Sequence, residues 1–110
     1  MGAFDIFLNK EKLIRKTIEI DNSLYEKLRE LSDKKYDASV NKMINVALME
    51  LIKTENINVY VKKEGDISLK HTLLIREGVV TGLDKLKDKY DISIYKLTNM
   101  AINNAINQIK

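Results

Sequence analysis

Lys35-Tyr36-Asp37-Ala38-Ser39-Val40-Asn41-Lys42-Met43 returns, altered, as Lys89-Tyr90-Asp91-Ile92-Ser93-Ile94-Tyr95-Lys96-Leu97. Each stretch joins two helical patterns through a Tyr-Asp-x-Ser junction. Downstream, Val40, Met43, Ile44, Ala47, Leu48 and Leu51 are answered by Ile94, Leu97, Thr98, Ala101, Ile102 and Ala105. Upstream, the stripe Leu24, Leu28, Leu31 is answered by Val79, Leu83, Leu86, and copy one holds one more residue between stripe and tyrosine. Further upstream, Arg15-Lys16-Thr17-Ile18-Glu19-Ile20-Asp21 alternates as a short strand does, and so does Lys70 to Arg76. A repeat on this scale is the first feature to settle, because it dictates the architecture.

The chain has 110 residues, enough for one compact domain. A single copy is too small to hold a core by itself. The spacing therefore predicts an N-terminal arm over 1–12, a first strand–helix–helix unit over 13–53, a linker over 54–68 and a second unit over 69–110. Together the two units form one domain. An isolated strand leaves its backbone groups unpaired, so the two strands are expected to pair antiparallel with Thr17 near Thr72. Ile18, Ile20, Leu73 and Ile75 then face the core. The linker, with Ile57, Val59 and Val61 alternating before the turn Lys63-Glu64-Gly65-Asp66, suggests a small hairpin or an added edge strand. Its roughly 15 residues reach about 50 Å when extended.

Capping signals mark the helix starts. Ser23 with Glu26 fits a capping box, and Ser39 and Ser93 suit the N-caps of the second helices. Val46, Met49 and Ile52 widen the apolar stripe of the helix after Ser39, as in a helix buried on several sides. Gly78 and Gly82 weaken the first helix of copy two by about 1 kcal/mol each where they lie in the helix interior. Its stability must come from packing.

Composition excludes several classes. There is no cysteine, hence no disulfide or thiolate metal site, and the histidine is single. His71 suits a packed or hydrogen-bonded role better than metal binding. No glycine-rich phosphate loop or carboxylate–histidine cluster is present, so neither catalysis nor a cofactor is expected. Lacking a signal-peptide pattern and an apolar run of spanning length, the chain reads as cytoplasmic. The net charge of +3 permits an anionic partner without demanding one.

The ordered set of alternating strand, leucine-striped helix and Asp-x-Ser entry to a longer helix, present twice, resembles the ribbon-helix-helix superfamily that includes the repressors Arc and MetJ. The two copies in one chain also resemble TraY-type accessory proteins of plasmid transfer, on architecture alone. The resemblance implies a mainly α fold with a two-stranded antiparallel β-ribbon, a pseudo-dimeric tandem ribbon-helix-helix. It further implies sequence-specific binding to double-stranded DNA, with the ribbon in the major groove. The role would be transcriptional repression or accessory work at a plasmid or mobile-element relaxosome in conjugation.

On that reading Arg15, Thr17, Glu19, Lys70, Thr72 and Leu74 contact bases. The starts of the second helices, Ser39, Val40 and Lys42 with Ser93, Ile94 and Lys96, contact phosphates. Lysines in a helix's first turn oppose its dipole, which makes sense if each meets a phosphate. Duller accounts stand beside these: the serines cap with or without DNA, the lysines suit solvent, and Glu19 can pair with Lys70 across the ribbon. Lys16 and His71 depart from the family by occupying positions that normally point inward as apolar residues. Fusion lets the strands differ, so the site read should be non-palindromic, and further copies of the chain could line up beside it. The alternative function is a protein-interaction module, an antitoxin or adaptor, gripping a partner through Phe4, Ile6, Phe7 and Leu8.

Overall fold

A computed structural model describes residues 12–36, 38–58 and 60–109. It is mainly helical, with one two-stranded antiparallel sheet and four α-helices. In chain order these are β1 (Leu13–Asp21), α1 (Asn22–Leu31), α2 (Val40–Thr54), β2 (Ser68–Arg76), α3 (Glu77–Tyr90) and α4 (Ile94–Asn107). The first unit thus runs one residue past its expected end, and β2 takes Ser68 from the expected linker. Residues 1–11 of the N-terminal arm, with Phe4, Ile6, Phe7 and Leu8, lie outside the described residues, as do Asp37, Val59, Lys110 and the Tyr36 side chain.

The register comes out as the alternation requires. Thr17 stands opposite Thr72, Arg15 opposite Leu74 and Glu19 opposite Lys70. Ile18, Ile20, Leu73 and Ile75 are buried against the helices with Leu24, Leu28, Ile44, Leu48, Val79, Leu83, Leu97 and Ile102. The side chains of Arg15, Thr17, Glu19, Lys70, Thr72 and Leu74 are exposed on the other face. A period of two residues puts one set inward and the other outward, and burial of the first holds the register.

The extra residue of copy one has a structural counterpart. Residues Ser32–Tyr36 form a π-helical turn after α1, whereas α3 runs as α-helix to Tyr90. Widening one turn is the usual way a helix absorbs an inserted residue. Ser32 fastens this turn by donating its hydroxyl hydrogen to the Ala38 carbonyl. Copy two ends its helix differently, on Asp91 in the left-handed conformation at φ 54°.

Three expectations fail. Among the described residues the linker adds neither hairpin nor strand, and the sheet is two-stranded, β1 beside β2. Of the expected turn, the Asp66 amide does bond the Lys63 carbonyl at 3.1 Å, with Gly65 at φ +83°. Asparagine side chains occupy one end of each outer sheet edge, at Leu74 and Arg76 and at Glu19 and Asp21. Ile57 packs on the core while Val61 is 75% exposed, so their alternation marks no strand face.

The Ser23–Glu26 capping box is also absent. The N-cap position of α1 is Asp21, with no side-chain cap. The open donors are met from the linker instead: the Asn22 amide donates to the Ile67 carbonyl at 2.7 Å. The Ser23 amide and hydroxyl both donate to the Asp66 carboxylate, at 3.2 and 2.6 Å. Finally, α2 is not buried all round. Val46 is 58% and Met49 43% exposed, and Ile52 is half-buried. Gly82 explains the position of Ile52: a Cβ there would lie 2.7 Å from its Cδ1.

Candidate nucleic-acid interface

The outward sheet face is built by pairing alone. Its centre is Thr17 beside Thr72, with hydroxyls 3.3 Å apart. Toward one end lie Arg15 and Leu74, the latter 43% exposed. Toward the other lie Glu19 and Lys70, cross-strand partners that form no ion pair. The carboxylate and the ammonium both remain available to an outside group. Lys16 is exposed although it shares a parity with Ile18, and adds a further cation to the sheet.

Both second helices start where the serines indicated. The Ser39 hydroxyl accepts from the Lys42 amide at 3.1 Å, and the Ser93 hydroxyl accepts from the Lys96 amide at 3.2 Å. Among the described residues no acceptor meets the amides of Val40 or Ile94. Lys42 and Lys96 are exposed, and Val40 and Ile94 are half-buried against the core. Each helix start therefore combines an open N–H, the positive end of a dipole and a lysine, which is the chemistry that holds a phosphate oxygen.

Three asparagines connect these helix starts to the sheet, and the apolar reading of the sequence passed over them. Asn45 of α2 donates to the Leu74 carbonyl at 2.9 Å and accepts from the Arg76 amide at 3.2 Å. Asn99 of α4 does the same on the opposite edge, donating to the Glu19 carbonyl at 3.1 Å and accepting from the Asp21 amide at 2.8 Å. Asn41 adds a second pair on Leu74, accepting from its amide at 2.9 Å and donating to its carbonyl at 3.1 Å. A carboxamide carries one acceptor oxygen and a donor NH₂, so it can stand in for the peptide of a missing strand. Each outer edge is capped in this way at one end, which shortens the template for unwanted pairing. Asn45 and Asn99 hold the same place in the two repeats, a signal that was available.

At the Asp21 end of the sheet lies a buried polar cluster. Asp21 is 0% exposed and accepts from the Ser68 hydroxyl at 2.6 Å, from the Tyr95 hydroxyl at 2.5 Å and from the Tyr60 hydroxyl. Lys62 donates to Ser68 at 3.1 Å. Burial pushes the Asp21 carboxyl up, but the hydroxyls of Ser68, Tyr60 and Tyr95, with Lys62 nearby, hold it below its ordinary value. Burial and the bond to Asp21 push the Tyr60 phenol up. Asp21 is thus a charged anchor that joins the linker, both strands and α4.

His71 stacks on Tyr25, with ring centroids 3.8 Å apart and planes 14° from parallel. Burial lowers its pKa, and its buried Nε2 meets no hydrogen-bond partner among the described residues. Among the described residues no group of three or more His, Cys, Asp or Glu side chains could hold a metal ion. Tyr90 is 37% exposed and donates to Glu55 at 2.8 Å, beside the Lys89–Glu55 ion pair at 2.7 Å. No helix among the described residues is long and apolar enough to cross a membrane.

Comparison with family models, with curated proteins and with solved structures finds no match. Function has to be read from the geometry.

Proposed function

We propose that the chain is a tandem ribbon-helix-helix protein that binds double-stranded DNA, laying its two-stranded sheet in the major groove. The observation that carries this reading is the register: six exposed side chains on one sheet face, flanked by two serine-capped, lysine-bearing helix starts. A major groove admits a two-stranded ribbon, and each base pair presents a distinct pattern there. Arg15 reaches the O6 and N7 of guanine, and Lys70 serves a similar edge less selectively. Glu19, free of Lys70, accepts from the amino group of cytosine. Leu74 packs on a thymine methyl, and the two threonines donate or accept between these ends. Ser39, Val40 and Lys42, with Ser93, Ile94 and Lys96, hold the backbone on either side.

Because Arg15 faces Leu74 while Glu19 faces Lys70, the two halves of the site differ and its sequence is non-palindromic. Having both strands in one chain replaces dimerisation with an intramolecular pairing, at an effective concentration of about millimolar for a short linker. Repression or an accessory role at a plasmid transfer site in the cytoplasm would use such a reader, alone or with further copies on adjacent sites.

Selection of bound duplexes from a random pool tests the reading. The expected outcome is an asymmetric motif whose affinity falls steeply with salt, as phosphate contacts release counterions. Arg15→Ala should cost about 1–3 kcal/mol of discrimination at one base pair. Lys42→Ala should weaken all sequences alike and reduce the salt slope by about 1. A chain that selects no duplex at low salt would instead favour the protein-interaction reading, and a perfectly palindromic motif would remove the asymmetry.

A further inference from the structure

The cross-strand pairs of the sheet run one rung farther at each end than the six side chains assigned to bases. Beyond Glu19 and Lys70 lies the pair Asp21–Ser68, and beyond Arg15 and Leu74 lies the pair Leu13–Arg76. Facing repeats every second residue along a strand, so both outer pairs belong to the face of Thr17 and Thr72. The repeat puts Asp21 and Arg76 in the same place, and likewise Leu13 and Ser68. Equivalent by sequence, the two outer rungs differ in what reaches them.

The Asp21–Ser68 rung is plugged by protein. The Asp21 carboxylate takes the hydroxyls of Ser68, Tyr60 and Tyr95, and with no exposed surface it is beyond the reach of a base edge. The Ser68 hydroxyl also accepts from the Lys62 ammonium at 3.1 Å. Lys62 itself is exposed and forms no ion pair among the described residues, so the linker leaves a cation where the plug begins. The Leu13–Arg76 rung is open. Leu13 is 53% exposed, and Arg76 is exposed as well. Among the described residues no carboxylate pairs with the guanidinium, its neighbour Glu77 included. Asn45 bonds the Arg76 backbone on the sheet edge and leaves its side chain unused. Leu13 stands diagonal to Leu74 of the next rung, a spacing that long side chains bridge.

We infer that Leu13 and Arg76 form a fourth base-reading rung, so that the reading face is off-centre. It extends past Arg15 and Leu74, and it stops at Glu19 and Lys70, where Lys62 holds a phosphate instead. The inference rests on the major-groove reading proposed above and specifies where the recognised element lies. Arg76 presents a planar fork to the O6 and N7 of guanine, and Leu13 widens the apolar contact of Leu74 with thymine methyls. Lys62 acts as a point charge, which suits a phosphate oxygen. Successive rungs are about 6.8 Å apart along a strand, roughly two base-pair rises of 3.4 Å. The element therefore runs about two base pairs farther at the Arg15 end than at the Lys70 end.

Selection from a random duplex pool, repeated with variants of the full chain, tests this. Arg15→Ala marks its own end of the motif by relaxing one base pair. Arg76→Ala should then lower a guanine preference about two base pairs outside that position by about 5- to 150-fold, leaving inner preferences intact. Arg76→Lys keeps the charge and loses the fork, so it should relax the same base pair while overall affinity holds. Leu13→Ala should reduce the penalty for replacing thymine with uracil in that outer step. Lys62→Ala should weaken all sequences alike and lower the salt slope by about 1. An unchanged circular dichroism spectrum sets folding losses aside. A motif that responds to Arg15→Ala but not to Arg76→Ala overturns the fourth rung alone, as does a motif reaching equally far at both ends. An Arg76→Ala loss spread evenly over all sequences also overturns it, by making Arg76 a phosphate contact. An unchanged salt slope in Lys62→Ala removes the contact at the other end. Selection of no duplex by the unaltered chain ends the groove reading itself, and this inference with it.

Discussion

The two ends of the sheet do the same job with different chemistry. At one end Asp21 is buried and ionised, and Ser68, Tyr60 and Tyr95 converge on it from β2, the linker and α4. At the other end the residue in the matching place, Arg76, is exposed, and Asn41 stands where Tyr95 does. Among the described residues, the side chains that close that end are the carboxamides of Asn41 and Asn45. The repeated framework is therefore the apolar stripe, the serine caps and the Asn45–Asn99 pair, while the ends are free to diverge. A single chain permits such divergence because no second, identical copy has to fit the same site.

The largest test of this difference is Asp21→Ala set against Arg76→Ala. The first removes a charged acceptor and leaves three hydroxyls short of a partner, which should cost about 3 kcal/mol. Replacing Arg76, an exposed residue, should stay within about 0.5 kcal/mol. Chemical denaturation measures both, and equal losses would erase the distinction between the ends. The Asp21 contribution also carries a pH signature. Its folded pKa lies below the ordinary 3.8, so its stabilisation is complete above that value. It is lost as pH falls through the lower folded value, because the unfolded chain then binds more protons. Asp21→Ala should flatten that acid limb.

The contrast also shows what could be read in advance. Alternation at Ile18, Ile20, Leu73 and Ile75 decided which sheet face is buried, and the Thr17–Thr72 register followed from the repeat. The serine caps were legible because capping is local. Asp21 was not, because the linker residues that bury it are distant in sequence. Ser23 was misread for a related reason, since its partner Asp66 comes from the linker. The breadth of apolar spacing on α2 overstated its burial, because Val46 and Met49 satisfy a helical period without meeting a partner. Asn41, Asn45 and Asn99 were overlooked because an asparagine in a helix carries no periodic signal. Only its recurrence one repeat later distinguishes it.

A smaller effect should separate the edges. Asn99→Ala leaves the Glu19 carbonyl and the Asp21 amide unpartnered, whereas after Asn45→Ala the Leu74 peptide keeps both bonds to Asn41. Expected losses are about 2 kcal/mol for Asn99→Ala and about 1 kcal/mol for Asn45→Ala. Adding Asn41→Ala to Asn45→Ala should bring the two edges level. Amide hydrogen exchange offers a local readout, with the Asp21 amide losing protection in the first variant and the Leu74 amide only in the double one. Protection of Leu74 lost in Asn45→Ala alone would show that Asn41 bears no share.

The finest comparison is between Gly82 and Lys27, which hold the same place on α3 and α1. Replacing Gly82 with Ala should gain about 1 kcal/mol from helix propensity. The new Cβ, however, would meet Ile52 at 2.7, 2.9 and 3.1 Å, and these contacts involve its branched stem as well as its tip. Overpacking of that kind costs about 1–3 kcal/mol, so Gly82→Ala alone should destabilise by about 1 kcal/mol. In an Ile52→Ala background the crowding disappears and the same change should stabilise by about 1 kcal/mol. Lys27→Ala, on an exposed stretch of α1, should stay within about 0.5 kcal/mol in either background. A reversal of sign that depends on Ile52 would show that glycine is held at position 82 by packing against α2. A stabilising Gly82→Ala in the unaltered chain would mean that Ile52 has room to yield, and that the second segment is no more tightly closed there than the first.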